Sequence, residues 1–331
     1  MTFASIRSIG AYVPSKKLTN QDFEKMVDTT DEWILKRTGI SVRHIADENE
    51  TTSDLAVNAA KIAIERAGLE TKDVDMIICA TITPDYFCMP STACVIADKL
   101  GIKNVPAFDI SAACSGFIYA LSIARSFIIS GMKKNVLIIG AETLSRIVDY
   151  EDRTTCVLFG DGAGAAIIGT TNDRSEAILD ANISSDGEFQ EFLITPSPGS
   201  KNPCSIENIE NRLHFMKMKG NETFKVAVRT LTNDVVELLD KNKITKEQIK
   251  HFIPHQANHR IIAAVGDAIG LKEEQVVLTV AKYGNTSAAS IPMAMNDIYE
   301  SGKLKKGDLI LLDAFGGGLT WGSSLAYFGG N

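Results

Sequence analysis

Short unbroken apolar runs alternate along this chain with longer stretches in which apolar residues return every three or four positions. Residues 75–83 (DMIICATIT) form one such run, rich in β-branched residues, as expected of a strand covered on both faces in a parallel sheet. Residues 6–12, 105–110 (VPAFDI) and 136–141 (VLIIGA) read as further strands. Across Thr52–Arg66 the apolar residues Leu55, Ala56, Ala59, Ala60, Ile62 and Ala63 keep helical spacing, and Gly68 ends the pattern. Residues 91–100 and 113–130 also read as helices. Leu18-Thr19-Asn20 with Asp22 and Glu24 reads as a capped helix start, and residues 158–169 turn through glycines into a strand, AAIIG.

The order strand, helix, glycine, strand occurs twice. Cys114 to Gly131 and Asn285 to Gly302 are the same 17 residues apart, which predicts equal helices and puts Asn285 in the place of Cys114. Upstream, Val74 and Ile249 each precede Ala80 and His255 by six residues, which pairs those two positions. The chain therefore reads as α/β with two similar halves, residues 1–172 and 173–331, joined without a Pro/Gly/Ser-rich linker. The least patterned stretch, 196–211, opens as PSPGS and reads as an irregular insertion in the second half.

Of the 331 residues, 45% are hydrophobic and 23% charged, which excludes disorder, coiled coil and collagen-like repetition. A net charge of −7 sets up no global field for nucleic acid or an anionic membrane, and neither is expected as a partner. The N-terminal stretch lacks the layout of a secretory signal, and no apolar run reaches the roughly 18 residues of a spanning helix, so a cytoplasmic location is expected. Six cysteines form no C-x-x-C pair and most read as buried free thiols.

Cys114 has a different setting. It lies between a strand end and a long apolar helix, within Ser111-Ala112-Ala113-Cys114-Ser115-Gly116. Unpaired N–H groups at a helix start favour a thiolate, and small neighbours leave room for an acyl group; position alone leaves a buried core cysteine equally open. His251, His255 and His259 are four apart, but Pro254 breaks any helix, so a metal site on one helical face fails. His255 then falls at the carboxyl end of a strand, where catalytic groups of α/β sheets collect, with a capping or surface role as its alternative. Asn285 reads as a helix cap or, by the repeat, a catalytic donor. Phe315-Gly316-Gly317-Gly318 follows a strand at the same edge, where glycines let backbone N–H groups approach an oxyanion. Gly160-Asp161-Gly162-Ala163-Gly164 mimics a dinucleotide loop, but a strand follows it, so no nicotinamide site is expected.

Taken together, Asp28-Thr29-Thr30-Asp31-Glu32-Trp33, Arg37-Thr38-Gly39-Ile40, Ala112-Ala113-Cys114-Ser115-Gly116, Phe159-Gly160-Asp161-Gly162-Ala163-Gly164, Ile253-Pro254-His255-Gln256-Ala257-Asn258, Gly284-Asn285-Thr286-Ser287 and Ala314-Phe315-Gly316-Gly317-Gly318 resemble β-ketoacyl-acyl carrier protein synthase III, over residues 6–328. The resemblance implies the thiolase fold, a five-layer α-β-α-β-α sandwich. It implies that Cys114 takes an acetyl group from acetyl-CoA, and that His255 and Asn285 stabilise the enolate formed as malonyl-acyl carrier protein loses carbon dioxide. The oxyanion hole would be the N–H groups of Cys114 and Gly317. Thr29, Trp33, Arg37, Arg153, Gly220, Phe224 and Asn258 would bind CoA; Met89, Leu144 and Phe159 would wall the acyl pocket. Lys225, Gln256, Ala257, Asn258, His259 and Arg260 would dock the carrier protein. A homodimer is implied, and no metal or tightly bound cofactor.

Two departures from the family pattern stand out. Met89 replaces a Phe common at the pocket floor, contributed across the dimer interface, which opens the primer range to longer or branched acyl groups. The segment 196–215 is longer than usual. Elongating synthases carry a second His in place of Asn285, degradative thiolases a second Cys near the C-terminus, and 3-hydroxy-3-methylglutaryl-CoA synthase a catalytic Glu. Here no Cys follows Cys204 and no Glu occurs in 81–89. The competing readings are a thiolase-fold condensing enzyme or acyltransferase of secondary metabolism, and a non-catalytic acyl-carrier-binding protein.

Overall fold

A computed structural model describes residues 2–330. The first half builds a five-stranded sheet from β1 (Phe3–Tyr12), β2 (Met76–Ala80), β3 (Ala107–Ile110), β4 (Asn135–Glu142) and β5 (Gly162–Thr171), in the order β1-β5-β4-β2-β3. As the unbroken run 75–83 implied, β2 is parallel to both its neighbours, whereas β5 is antiparallel to β1 and β4. The second half repeats four of these strands as β6 (Ile178–Ser185), β7 (His251–Pro254), β8 (Leu309–Gly316) and β9 (Thr320–Tyr327), in the corresponding order β6-β9-β8-β7. Its fifth strand is reduced to a single bridge between Phe252 and Val276.

The helices that matter are α1 (Asp31–Thr38), α2 (Thr52–Arg66), α3 (Thr92–Leu100), α4 (Gly116–Ile129), α5 (Gly220–Asn242), α6 (His259–Ala268) and α7 (Ser290–Glu300). Alternation along each strand sorts side chains to two faces. Met76 and Ile78 of β2 meet Phe117 and Leu121 of α4 in the central core, while Ile77 and Cys79 face α2 and α3. In β8, Ile310 and Leu312 turn to that same central layer, while Leu309 and Leu311 face α5 and α6. Two sheets thus enclose α4 and α7 and carry helices outside, giving five layers. Each fully buried Ile or Leu in this stack contributes roughly 1.5–3 kcal/mol, which is why the central strands carry no polar alternation.

The repeat needs one correction. Each central helix follows a tight turn with one non-glycine residue at positive φ, Ala113 (φ 44°) before α4 and Ser287 (φ 49°) before α7. Matching the turns sets Ala113 against Ser287 and Cys114 against Ala288. Asn285 is therefore not the counterpart of Cys114. The equal count to the closing glycines misleads because α4 has 14 residues and α7 only 11, close to one helical turn less.

Smaller corrections follow. The capped start at Thr19 leads only to the four-residue helix Asn20–Phe23. Cys79, Cys114 and Cys156 are buried, but Cys88, Cys94 and Cys204 are exposed, so half the thiols do not fit the expected burial. Gly162–Thr171 is a strand, and Asp161 before it acts as a buried staple: it accepts from the N–H groups of Ala46 (2.8 Å) and Ser145 (2.9 Å) and from Ser145 Oγ (2.6 Å).

Candidate active site

Cys114 sits in the turn Ala113–Ser115, between the end of β3 and the first residue of α4. It lines a cavity of about 390 Å³ whose apolar side is formed by Ile82, Leu144, Phe159, Leu193 and Met216. Ser287 and Gly317 lie on its polar side. The end of β8 bears directly on the Cys114 turn: a Cβ at Gly316 would stand 2.6 Å from the Cys114 nitrogen, so only glycine fits there.

The sequence leads one to expect a lowered thiol pKa at a helix start. Burial has the opposite effect and prevails, pushing the Cys114 thiol up to about 12, and the nearby Glu142 charge adds to it. A buried thiolate loses its hydration, which disfavours the charged form. Cys114 therefore rests as a thiol.

His255 follows the last residue of β7, and its N–H donates to the Asp313 carbonyl at 2.7 Å. Its ring is buried, and desolvation holds it down to about 3, so the imidazole is neutral. Nδ1 lies 2.6 Å from Ser290 Oγ, at the first residue of α7. Asn285 bonds through its backbone to both sides of Phe159, donating to the Leu158 carbonyl (2.9 Å) and accepting from Gly160 N–H (3.0 Å), and its Oδ1 accepts from Ser287 N–H at 2.9 Å. Neither His255 nor Asn285 lines the cavity wall as Cys114 does. The turn 285–290 joins them to it, through Ser287 at the cavity and Ser290 at the imidazole.

A second cluster lies at the surface. The guanidinium groups of Arg37 and Arg153 stand 4.9 Å and 5.0 Å from the Trp33 ring centre, and Asn258 Nδ2 donates to the Arg37 carbonyl at 2.9 Å. Asn258 also caps α6, and Arg260 lies 5.4 Å from the Phe224 ring. Lys225 is exposed beside it, as is Gly220 at the first position of α5. Thr29 is half-buried, with its hydroxyl unpartnered; His259 is half-buried with Nδ1 unpartnered, its ring against Gly39.

One assigned surface is corrected. Gln256 is 1% exposed, and its amide donates to the Pro254 and Val277 carbonyls and accepts from Thr279 and Val280 N–H. A primary amide can satisfy several loop backbone groups at once, so Gln256 is a tie inside the protein and not a docking residue. Met89 is 80% exposed and outside its own chain's cavity, next to exposed Tyr86 and Phe87.

The segment 196–215, which had no role on sequence grounds, leads into the cavity wall. Met216 N–H donates to the Ile147 carbonyl at 2.8 Å, and Lys217 and Met218 pair with Ile194 and Leu193. Arg212 clamps it by two bonds to Asp149, with Nε at 2.9 Å, and holds that carboxyl well below the usual range. We expect Arg212→Ala to leave circular dichroism unchanged but to speed proteolytic cutting within 196–215; equal cutting rates would show that the clamp does not hold the segment.

The comparisons with known proteins agree along the chain. Residues 108–187 match the family model described as 3-oxoacyl-[acyl-carrier-protein (ACP)] synthase III, and residues 239–328 match its C-terminal model. A β-ketoacyl-[acyl-carrier-protein] synthase III of Sulfurovum sp. is 67% identical over 328 residues, covering 99% of this chain and 96% of that one. The enzyme of that name from Sulfurimonas denitrificans is also 67% identical, covering 99% of each. Among solved structures, 3-oxoacyl-[acyl-carrier-protein] synthase III from Aquifex aeolicus superimposes with a TM-score of 0.91 at 49% identity, covering 98% of this chain and 100% of that one. The priming β-ketosynthase of the R1128 polyketide pathway gives 0.92 at 32% identity, over 99% and 96%.

Proposed function

The chain belongs to the β-ketoacyl-[acyl-carrier-protein] synthase III family of condensing acyltransferases, and from this we propose that it joins acetyl-CoA to malonyl-acyl carrier protein, releasing carbon dioxide and CoA, through an acyl group held on Cys114. The observation that carries this reading is the buried Cys114 thiol in an apolar cavity, beside the turn that bears Asn285 and seats His255.

In the first step the Cys114 sulfur attacks the acetyl carbonyl carbon and CoA leaves, with the Cys114 and Gly317 N–H groups taking the tetrahedral oxyanion. In the second, malonyl-acyl carrier protein loses carbon dioxide and the electron pair passes onto its thioester oxygen. His255 and Asn285 donate to that oxygen. Ser290 Oγ lies 2.6 Å from His255 Nδ1 and accepts from Gln256 N–H at 3.3 Å; the donor role assigned to His255 requires Ser290 to donate to Nδ1, which leaves the imidazole hydrogen on Nε2. A neutral donor suits this step, because the charge it meets exists only in the transition state. The enolate carbon then attacks the acetyl group and expels Cys114. This chemistry needs no metal and no resident cofactor.

Trp33 with Arg37 and Arg153 suits an adenine and phosphates, Thr29, Gly220, Phe224 and Asn258 border the same approach, and Lys225 and Arg260 form a basic patch for an acidic carrier protein. Such a patch is required on a protein of net charge −7. Among the described residues no helix is long and apolar enough to cross a membrane, and we place the enzyme in the cytoplasm.

Exposed Tyr86, Phe87 and Met89 support a homodimer in which Met89 reaches the cavity of the other copy. Light scattering should give twice the chain mass, and Met89→Phe should lower turnover of four-carbon primers relative to acetyl-CoA. A monomer, or a primer preference that Met89→Phe leaves unchanged, would remove this part. The overall reaction is tested by carbon dioxide release from malonyl-acyl carrier protein that depends on acetyl-CoA. An acyl adduct without such release would replace the condensing reading with simple acyl transfer.

A further inference from the structure

The first step leaves a proton without a destination. A thiol pushed up to about 12 must lose its proton to attack, and His255, held down to about 3 and bonded at Nδ1 to Ser290, cannot hold it.

Another acid is within reach. Glu142 ends β4 fully buried, and its carboxyl accepts from Thr83 Oγ1 at 2.5 Å, Ile82 N–H at 3.1 Å and Thr81 Oγ1 at 3.2 Å. These partners are neutral, and burial raises this carboxyl to about 7, where it exchanges protons at working pH. Between it and the nucleophile lies Ser287. Its hydroxyl is buried without a hydrogen-bond partner, yet close enough to both the Cys114 thiol and the Glu142 carboxyl to oppose the rise that burial causes in each. Ser287 adopts a left-handed backbone (φ 49°) that the Asn285 Oδ1 bond secures. A buried unpartnered hydroxyl in a strained turn at a reactive cavity calls for a reason.

We propose that Ser287 and Glu142 carry the Cys114 proton away during acylation: the thiol proton moves to Ser287 Oγ as the Ser287 proton moves to the Glu142 carboxylate. The sulfur lone pair forms the new bond to the acetyl carbon, the bond to CoA sulfur breaks, and the CoA thiolate takes a proton from water. When condensation expels Cys114 as a thiolate, Glu142 returns its proton through Ser287, so the cycle consumes one proton from solvent. The Cys79 thiol on β2 feels the Glu142 charge from the outer face of the sheet, and burial keeps it protonated. Ser287 touches the reacting atom; Glu142 acts through it.

This rests on Cys114 as the acyl acceptor, and one experiment separates the two. The rate of acetyl adduct formation on Cys114 is followed by rapid-quench intact mass across pH, for wild type, Glu142→Gln and Ser287→Ala, with thermal melts to confirm folding. Wild type should speed up as pH rises through about 7, because the carboxylate form is the acceptor. Glu142→Gln and Ser287→Ala should be slower by about tenfold or more, and Glu142→Gln should lose the inflection. The same inflection should appear in alkylation of Cys114 by iodoacetamide and vanish in Glu142→Gln. Folded Glu142→Gln with the wild-type rate and inflection overturns the relay alone. No adduct on Cys114 in wild type overturns both.

Discussion

Cys114→Ala should form no acetyl adduct and should lose condensation by at least about 10⁴-fold, with its melting temperature close to wild type. The size follows from what the side chain supplies. Without the sulfur no acyl-enzyme exists, and the cavity is left to bring two thioesters together with nothing to hold one of them covalently. Stability should hardly move, because the substitution removes only one sulfur from a cavity that is already open to a ligand. Intact mass after incubation with acetyl-CoA checks the first claim and carbon dioxide release the second. An adduct on Cys114→Ala would move the nucleophile elsewhere, and exposed Cys88, Cys94 and Cys204 would be the first places to look.

His255→Ala should behave in the opposite way, keeping the adduct but losing condensation by roughly 10²–10³-fold. Its imidazole is neutral at any pH at which the enzyme works, since its ring titrates near 3. On the proposed mechanism it serves as a hydrogen-bond donor to a developing enolate and not as the base for Cys114. Rates of condensation by pre-formed acyl-enzyme should therefore show no His255 titration between about pH 5 and 8, whereas the acylation half-reaction should show the rise near 7 that belongs to Glu142. Loss of the adduct in His255→Ala would contradict this division of labour.

Much of this arrangement is legible in the sequence. The central strands β2, β4, β5 and β8 show as apolar runs because each buries both faces, and α4 shows as an apolar helix because two sheets enclose it. Pro254 marks the end of β7 and so places His255. Other features depend on contacts that no local pattern carries. Counting to the closing glycines sets Asn285 opposite Cys114, and the count misleads because α7 is shorter than α4. Gln256 reads as an exposed polar residue beside His255, yet its amide is spent on backbone groups as distant as Thr279 and Val280. Glu142 is one acid at the end of VLIIGA, and its tie to Thr81 and Thr83 forms only when β2 and β4 lie side by side. The Asp149–Arg212 clamp spans 63 residues and depends on an irregular segment folding back over the cavity.

The central claim is that a single chain divides its chemistry between a Cys114 that accepts the acyl group and a His255 that serves only the condensation. Intact-mass analysis of Cys114→Ala and His255→Ala, each given acetyl-CoA and then malonyl-acyl carrier protein, tests it most directly. The account predicts no adduct on Cys114→Ala, and on His255→Ala an acetyl adduct that persists after malonyl-acyl carrier protein is added. An adduct on the first, or its discharge into product by the second at the wild-type rate, would contradict it.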